Sequence, residues 1–291
     1  ASVLKAFTCS ACGAEIVCDE NTLATECCYC GNPVMLPSRF NGMLKPDFVI
    51  PFKKTKEDAV AQLKEFYKGK WLLPKAFTAG NRVESIQPMY VPFWLFDSEV
   101  TASAEFKAES DTVYETQDER VTETNVYRCD RRGKMRFRRI PVDGSNKMDD
   151  TYMESIEPYD YGDLKPFSSA YMAGCLADKY DVDAEAAAPR ADERVRKSAV
   201  GVLEDTVEGY MRRELVNDVI NKGDGSVSYA MAPVWILTTR YEDKPYTFMM
   251  NGQTGKMVGS LPWDKNKANL YWAGSTAVLT AVFYFLVRMF V

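Results

Sequence analysis

Six of the eight cysteines fall in the first 30 residues, and their spacing predicts a metal site. Residues 9–13 and 27–31 each contain a Cys-x-x-Cys-Gly knuckle. This spacing lets two thiolates turn onto one metal ion, and the glycine permits the tight backbone turn around it. Fourteen residues separate the two pairs, near the usual loop of a short zinc ribbon. We predict a closed tetrahedral Zn²⁺ site with Cys18 and Cys28 as spare thiols and with four ligands, Cys9, Cys12, Cys27 and Cys30.

A four-thiolate zinc site leaves no coordination position open, so we predict a structural role for it. It would fold residues 1–38 as a zinc ribbon, a segment too short to bury enough apolar surface alone. Its only cation is Lys5, and four thiolates on one Zn²⁺ add about two negative charges, so phosphate would be repelled. We therefore expect a protein-docking or architectural ribbon. The acidic residues of the segment are Glu15, Asp19, Glu20 and Glu26.

The composition argues against an enzyme. The chain has no histidine, which excludes Ser-His-Asp and Cys-His catalysis and every His-ligated metal site. Cys129 and Cys175 therefore have no histidine to activate them and are predicted to be buried structural thiols. Residues 252–256, Gly-Gln-Thr-Gly-Lys, are similar to a phosphate loop, but two residues separate the glycines where that loop needs four. The carboxylates are scattered, so we predict no catalytic site.

The C-terminal segment predicts a transmembrane helix over residues 268–291. No charged residue occurs from 270 to 287, and a helix over 270–291 would be roughly 33 Å long, enough to cross a bilayer core. A buried core helix is the alternative, although such helices are usually shorter. Lys265 and Lys267 with nearby aromatic residues are typical of a cytoplasmic flank. Small residues offer a face for association with another helix, or are neutral in lipid: Ala273, Gly274, Ala277 and Ala281.

No secretory signal is evident at the start of the chain, so we expect tail-first insertion with the body in the cytoplasm. The net charge of −5 provides no general attraction to nucleic acid or to anionic lipid. A run of lysines surrounds the helix predicted over 56–69. These lysines either form a solvated helix face or contact headgroups or an acidic partner: Lys53, Lys54, Lys56, Lys64, Lys68 and Lys70.

Between ribbon and span, the periodicity predicts an α+β body over residues 55–265, preceded by a linker and first strand over 39–54. Val91–Phe96 and Ala232–Leu237 have similar sequences, VPFWLF and APVWIL. The body is therefore either two related halves, 55–165 and 166–265, or one domain with a duplicated helix-strand unit. The predicted elements begin with a helix over 56–69 capped by Thr55, strands over 86–96 and 102–108, and a hairpin of 121–128 with 134–142 in which Met135 and Phe137 face inward. They continue with a helix over 183–222 in which Pro189 starts a helix, a hairpin of strands 229–241 and 246–250 that turns at 242–244, and a turn over 251–255.

The predicted hairpin turns at residues 130–133 and carries the most basic patch of the chain. Its cations are neutralised by neighbouring strands, or they bind anionic lipid, an acidic partner or nucleic acid. The patch comprises Arg128, Arg131, Arg132, Lys134, Arg136, Arg138 and Arg139.

Taken in order, the motifs resemble those of bacterial TFIIB-type zinc-ribbon membrane proteins, which are sometimes mislabelled as primosomal helicases. Besides the two knuckles and the span, the motifs lie at residues 45–52, 89–97, 167–174, 179–183 and 251–256. The resemblance covers essentially the whole chain and implies a protein without established enzymatic activity at the bacterial inner membrane. It also implies flotillin-like (SPFH) or phage-shock-protein-A-like partners in envelope stress.

Three functions remain open from the sequence. The first is a non-enzymatic, tail-anchored cytoplasmic scaffold that organises other membrane-associated proteins. The second is a membrane-tethered nucleic-acid-binding protein that uses the ribbon or the arginine-rich hairpin. The third is an architectural subunit of a larger membrane complex, which needs the same span and rigid body as the scaffold.

Overall fold

The computed structural model describes residues 4–9, 11–19, 22–27, 32–35, 44–80, 83–115 and 119–290. They form an α+β protein whose chain divides into two compact units. Neither unit is one of the consecutive halves 55–165 and 166–265, because each is assembled from three separate stretches. Unit 1 comprises Ala1–Ile50, Tyr90–Met148 and Tyr161–Ala232, and unit 2 comprises Pro51–Met89, Asp149–Asp160 and Pro233–Val291.

Unit 1 begins with two short antiparallel hairpins. The first pairs β1 (Leu4–Thr8) with β2 (Glu15–Asp19), and the second pairs β3 (Thr22–Glu26) with β4 (Pro33–Met35). The second hairpin is joined to the rest of unit 1 through β9 (Leu176–Asp178), which pairs antiparallel with β3. A further strand, β5 (Phe48–Val49), pairs with β8 (Lys165–Pro166).

The larger part of unit 1 is built on long strands covered by one helix. β6 (Val83–Glu115) pairs antiparallel with β7 (Arg120–Asp143), and β10 (Arg212–Tyr241) lies beside β6. Alternate residues of β6 face α4 (Ala184–Asp205), as the period-two pattern of the sequence predicts. The buried cluster between them contains Ala102, Ala104, Phe106, Ala108, Cys129, Ala199, Val200, Leu203 and Val207.

The predicted hairpin turn at residues 130–133 is wrong. β7 continues without a break through these positions, where Gly133 pairs with Ala102 of β6. Gly133 lies under α4, where a Cβ would meet Leu203 Cδ2 at 3.6 Å, an ordinary van der Waals distance. The prediction that Met135 and Phe137 face inward is confirmed, since both pack against the buried cluster.

The predicted helix over 183–222 is confirmed in its first part and wrong after Asp205. α4 ends at Asp205, and Gly209 adopts a φ of +86° in the connection to β10, which begins at Arg212. Leu215 and Ile220 lie on β10, yet they pack against the same cluster as α4. Their apolar spacing therefore indicates that they are partly buried, but it does not indicate a helix. The helix also begins before Pro189, because Asp183 caps it by accepting the Ala186 N–H at 2.8 Å.

Unit 2 has an apolar core of its own. α1 (Lys56–Tyr67) and α2 (Lys75–Gly80) pack with residues 233–241 of β10, with β11 (Lys244–Asn251) and with β12 (Met257–Gly259). The helix predicted from Thr55 is confirmed, and Thr55 forms a reciprocal capping box with Asp58. The buried members of the core are Ala59, Leu63, Leu73, Phe77, Trp235, Leu237, Phe248, Met250 and Met257.

Two turns of unit 2 agree with the sequence. β10 and β11 form the predicted hairpin, with Glu242 and Asp243 at φ of +50° and +59°. Residues 251–255 also form a turn. The Asn251 side-chain oxygen accepts the backbone N–H groups of Gln253 and Thr254, both at 2.9 Å. Because these amides are already bonded, the segment has the chemistry of a turn and not of a phosphate loop.

The C-terminal helix α5 runs from Lys265 to Phe290. Its segment Lys265–Arg288 is long and apolar enough to cross a membrane, and no part of its most apolar stretch is buried in the protein. Asp264 caps the helix, since its carboxylate accepts the N–H groups of Asn266 at 3.0 Å and Lys267 at 3.1 Å. The Ser275 and Thr280 hydroxyls donate to carbonyls of the preceding turn, so neither needs a water partner.

Candidate metal centre

The first knuckle closes the β1–β2 hairpin. Thr8 pairs with Glu15, so residues 9–14 form the loop. The Cys9 N–H donates to the Ala14 carbonyl at 2.8 Å, and the Gly13 N–H donates to the Cys9 carbonyl at 2.9 Å. Gly13 adopts a φ of +75°, which explains why a glycine follows the second cysteine of the knuckle. The turn brings the Cys9 and Cys12 sulfurs to the same side.

The second hairpin repeats this construction. Glu26 pairs with Pro33, and the Cys27 N–H donates to the Asn32 carbonyl at 2.9 Å. Adding 18 to the residue numbers of the first hairpin therefore reproduces the strand pair, the loop length and the hydrogen bond of the second. The same shift carries Cys9 to Cys27 and Cys12 to Cys30. Cys30, like Cys28, lies outside the described residues.

The structure brings three of the four predicted ligands together. The Sγ atoms of Cys9, Cys12 and Cys27 all lie within 4.8 Å of one another, and the Cys12 and Cys27 sulfurs are 3.7 Å apart. Four thiolates at about 2.3 Å from one tetrahedral Zn²⁺ are separated from each other by about 3.8 Å. A disulfide would instead need about 2.05 Å. The cysteine cluster therefore fits a shared metal ion and does not fit a disulfide.

The surroundings of the cysteine cluster are apolar and small. Cys9 and Cys27 are buried with Ile16 and Val34, whereas Cys12 is exposed. Cys18 packs against this group from β2 and is not one of the three clustered thiols. Its role as a spare thiol stays a prediction. The buried sulfurs are thus held by the two hairpins, with the Cys12 side of the cluster open to solvent.

A further cysteine lies near the second hairpin, although no sequence motif links it to the ribbon. Cys175 immediately precedes β9, the strand that pairs with β3. Burial, with a smaller contribution from the Glu26 carboxylate, raises the pKa of Cys175 to about 11. At neutral pH Cys175 is therefore a protonated thiol. No local signal reveals this neighbour, because the pairing joins residues about 150 positions apart along the chain.

The basic residues of β7 do not form one continuous patch. Arg131 lies on the face towards α4, where its guanidinium donates to Thr206 Oγ1 at 3.1 Å. Arg139 lies at a bulge with a φ of +57°, and its N–H donates to Asp97 Oδ1 at 2.7 Å. The remaining cations alternate along the outer, exposed face of the strand: Arg128, Arg132, Lys134, Arg136 and Arg138.

Part of this outer face is neutralised by β6. Arg136 pairs with Glu99 directly opposite, and Arg128 lies 2.8 Å from Glu105. Arg132 and Lys134 face Ser103 and Thr101 instead. Within the described part of the chain, no ion pair is formed by Arg132, Lys134 or Arg138. These three are the cations that could still bind an anion.

The predicted helix–helix face lies on the exposed part of α5. Ala273, Gly274, Ala277 and Ala281 are all exposed, and a Cβ added at Gly274 would meet no described atom within 4 Å. The three alanines are four residues apart and share one side of the helix. Their role in helix association stays a prediction.

Comparison with known proteins shows that the chain is similar to a bacterial protein. Over 242 residues the chain is 35% identical to a protein of Bacillus subtilis (strain 168) named uncharacterized protein YdjG. The aligned part is 82% of this chain and 70% of YdjG. No protein-family model matches the chain, and no solved structure matches it.

Proposed function

We propose, from its cysteine cluster and its exposed apolar helix, that this protein is a membrane-anchored scaffold without enzymatic activity. The chain belongs to the same family as Bacillus subtilis YdjG. One observation carries the proposal: a folded α+β body is followed by α5, which is apolar, long enough to cross a bilayer and not buried by that body. A helix of this kind needs lipid or another protein around it.

The ribbon is proposed to hold one structural Zn²⁺ through Cys9, Cys12, Cys27 and Cys30. The 18-residue correspondence of the two hairpins supports Cys30 as the fourth ligand, since Cys12 occupies the equivalent place in the first hairpin. Four thiolates would close the coordination shell, and the ion would supply folding free energy and no chemistry. This part of unit 1 would then be a rigid, negatively charged surface for docking another protein.

The orientation proposed is that of a bacterial inner-membrane protein with its body in the cytoplasm. Lys265 and Lys267 lie at the start of α5 and favour the cytoplasmic side. Arg288, near the other end, has a side chain long enough to reach the opposite headgroups. The motifs described above further support membership among TFIIB-type zinc-ribbon membrane proteins, with SPFH-like or phage-shock-like proteins as partners. A homo- or hetero-oligomer in the membrane would fit both this role and that of a subunit in a larger assembly.

The test is mild detergent extraction of the protein from the membranes of its own cells, with zinc and co-purifying proteins measured in one sample. The proposal predicts recovery from the membrane fraction, one zinc per chain and stoichiometric membrane-associated partners. Cys30→Ser should lower the zinc content, and Cys18→Ser, the matched control, should not. Recovery of the full chain from the aqueous fraction without partners would refute the scaffold function.

Nucleic-acid binding is the competing function, and the pairing of Arg128 and Arg136 with acids of β6 weakens it. Its remaining support is the outer trio Arg132, Lys134 and Arg138. It would require nucleic acid in the purified sample, released by salt and reduced by Arg132→Glu with Lys134→Glu. Arg131→Glu is not a suitable control, because Arg131 bonds Thr206 beside α4. Arg120→Glu, at the far end of the same strand, is the suitable control.

A further inference from the structure

An exposed tryptophan is held against the first turns of α5. Trp71 lies in the loop of residues 68–74 between α1 and α2, and its ring packs on Tyr271 with the ring centroids 4.9 Å apart. Both side chains stay more than half exposed, at 55% and 56%. Trp263 and Trp272, on either side of the helix start, are 63% and 68% exposed. Four large aromatic side chains are therefore exposed around the start of one helix.

The 68–74 loop is fixed to this end of α5 by hydrogen bonds as well. The Leu72 carbonyl accepts the N–H of Asp264, the capping residue, at 2.8 Å. The Lys267 ammonium donates to the Leu73 carbonyl at 2.9 Å and to the Trp71 carbonyl at 3.4 Å. Leu73 itself is buried in the core of unit 2. The loop is thus anchored on both sides, and the position of Trp71 along α5 is set by the fold.

The depth of Trp71 follows from this anchoring. The uncharged stretch of α5 begins at residue 270, so Tyr271 lies at the edge of the hydrocarbon core when the helix crosses a bilayer. A ring that touches Tyr271 must lie at nearly the same depth. Tryptophan and tyrosine are the side chains that prefer this interface, because they combine an apolar ring with a polar N–H or O–H.

The flanking charges suit the same position. Gly69 adopts a φ of +72° and turns the chain after α1, which leaves Lys68 and Lys70 exposed beside Trp71. Lys70 also lies over the Phe66 ring, 5.7 Å from its centroid. Lysines at the level of the headgroups gain from the phosphates there, while their aliphatic stems cover apolar surface.

We propose that the 68–74 loop is a second membrane contact, with Trp71 inserted in the headgroup layer of the bilayer that α5 crosses. The contact holds unit 2 against the membrane surface in one orientation, where a span alone would let it pivot. The inference rests on the proposed span of α5, and the bilayer interface is the occupant to which the exposed aromatic patch is assigned.

Fluorescence quenching in vesicles tests the proposal. The full chain is reconstituted into phosphatidylcholine–phosphatidylglycerol vesicles with or without phosphatidylcholine brominated near the glycerol end of its acyl chains. The emission lost in Trp71→Phe is the emission of Trp71, and this variant keeps an aromatic ring on Tyr271. Trp272→Phe isolates the residue on α5 as the positive control. Trp94→Phe isolates a buried tryptophan, 2% exposed and bonded to the Val182 carbonyl at 2.8 Å, as the negative control.

We expect bromolipid to quench the Trp71 and Trp272 emission and to leave the Trp94 emission unchanged. Quenching of Trp272 without Trp71 would overturn the second contact and leave the span intact. If neither is quenched and the chain does not float with the vesicles, both the span and the contact are wrong. Quenching of Trp71 without Trp272 would overturn the span, and with it the depth assigned to Trp71.

Discussion

The ribbon of unit 1 and the core of unit 2 are held together by different forces. Among the described residues of the ribbon, the buried side chains of the cysteine cluster are Ile16, Val34, Cys9 and Cys27. The core cluster of unit 2 has nine buried apolar residues, with Phe77, Trp235 and Phe248 among them. Burial of a large apolar side chain contributes about 1.5–3 kcal/mol. We therefore expect apolar burial to stabilise unit 2, and the proposed metal–sulfur bonds to stabilise the two hairpins of the ribbon.

Loss of the metal should have the largest effect and should be confined to the ribbon. Structural zinc contributes roughly 10–16 kcal/mol of apparent binding free energy, so Cys9→Ser should unfold β1–β4. Amide hydrogen exchange followed by mass spectrometry should show lost protection there and unchanged protection in β10–β12. Cys18→Ser is the control. Equal protection of β1–β4 in Cys9→Ser and wild type would show that the ribbon folds without its metal.

The opposite experiment removes apolar burial from unit 2. Phe248 is fully buried over Gly259, where a Cβ would lie 2.2 Å from its ring. Phe248→Ala should cost about 3–5 kcal/mol of unfolding free energy, because the cavity cannot close fully. Hydrogen exchange should rise in β10 and β11 while the zinc content stays constant. Val113→Ala, at an exposed site, is the control. Zinc loss in Phe248→Ala would contradict the separation of the two regions.

Polar burial in unit 2 should matter less than Phe248. Asn251 is fully buried; it donates to the Ile156 carbonyl at 3.0 Å and accepts two backbone N–H groups of its turn. Asn251→Ala should destabilise unit 2 by about 1–3 kcal/mol, since buried groups lose their partners. Thr254→Ala, three residues further along the same turn and exposed, should change stability by less than about 0.5 kcal/mol. Denaturant unfolding of both variants measures the difference.

The smallest expected effect is the pH dependence of stability that Cys175, which is not a proposed zinc ligand, contributes. The thiols of the cysteine cluster must lose their protons to bind zinc, whereas burial raises the pKa of Cys175 from 9.0 to about 11. The folded state favours the neutral thiol, so this stabilisation is complete below pH 9 and is lost as the pH rises towards 11. The change should be less than about 1 kcal/mol, because the thiol is partly exposed. The stability difference between wild type and Cys175→Ser should therefore fall over pH 9–11, and a pH-independent difference would contradict the shift.

Local signals were sufficient for a large part of this protein. The knuckles, the Thr55 cap of α1, the turn at Asn251 and the apolar run of α5 each depend on residues within a few positions of one another. The chemistry of such elements is complete in a short segment, because a cap or a turn bonds its own neighbours. The prediction that Cys9, Cys12 and Cys27 form a cluster is also confirmed, although it joins two such hairpins.

The main errors involve strands whose partners are distant in sequence. Residues 212–222 have a helical apolar spacing, yet they join β10 because β6 provides a hydrogen-bonding neighbour and α4 covers their apolar side. In the same way, Asp130–Gly133 has the composition of a turn, but these residues are part of a continuous antiparallel pairing with β6. Pairing energy and burial outweigh intrinsic propensities, which differ by only about 1 kcal/mol per residue.

The sequence by itself determined the ligand types, the apolar helix and the exclusion of histidine chemistry, because these follow from residue identity and short-range spacing. Only the tertiary structure decided that the arginines of β7 face the acids of β6, that Cys175 precedes the strand beside β3, and that Trp71 meets Tyr271. Each of these contacts joins residues between about 20 and 200 positions apart. Such contacts form only when the whole chain folds, because burial of the core must offset the conformational entropy lost in ordering distant segments.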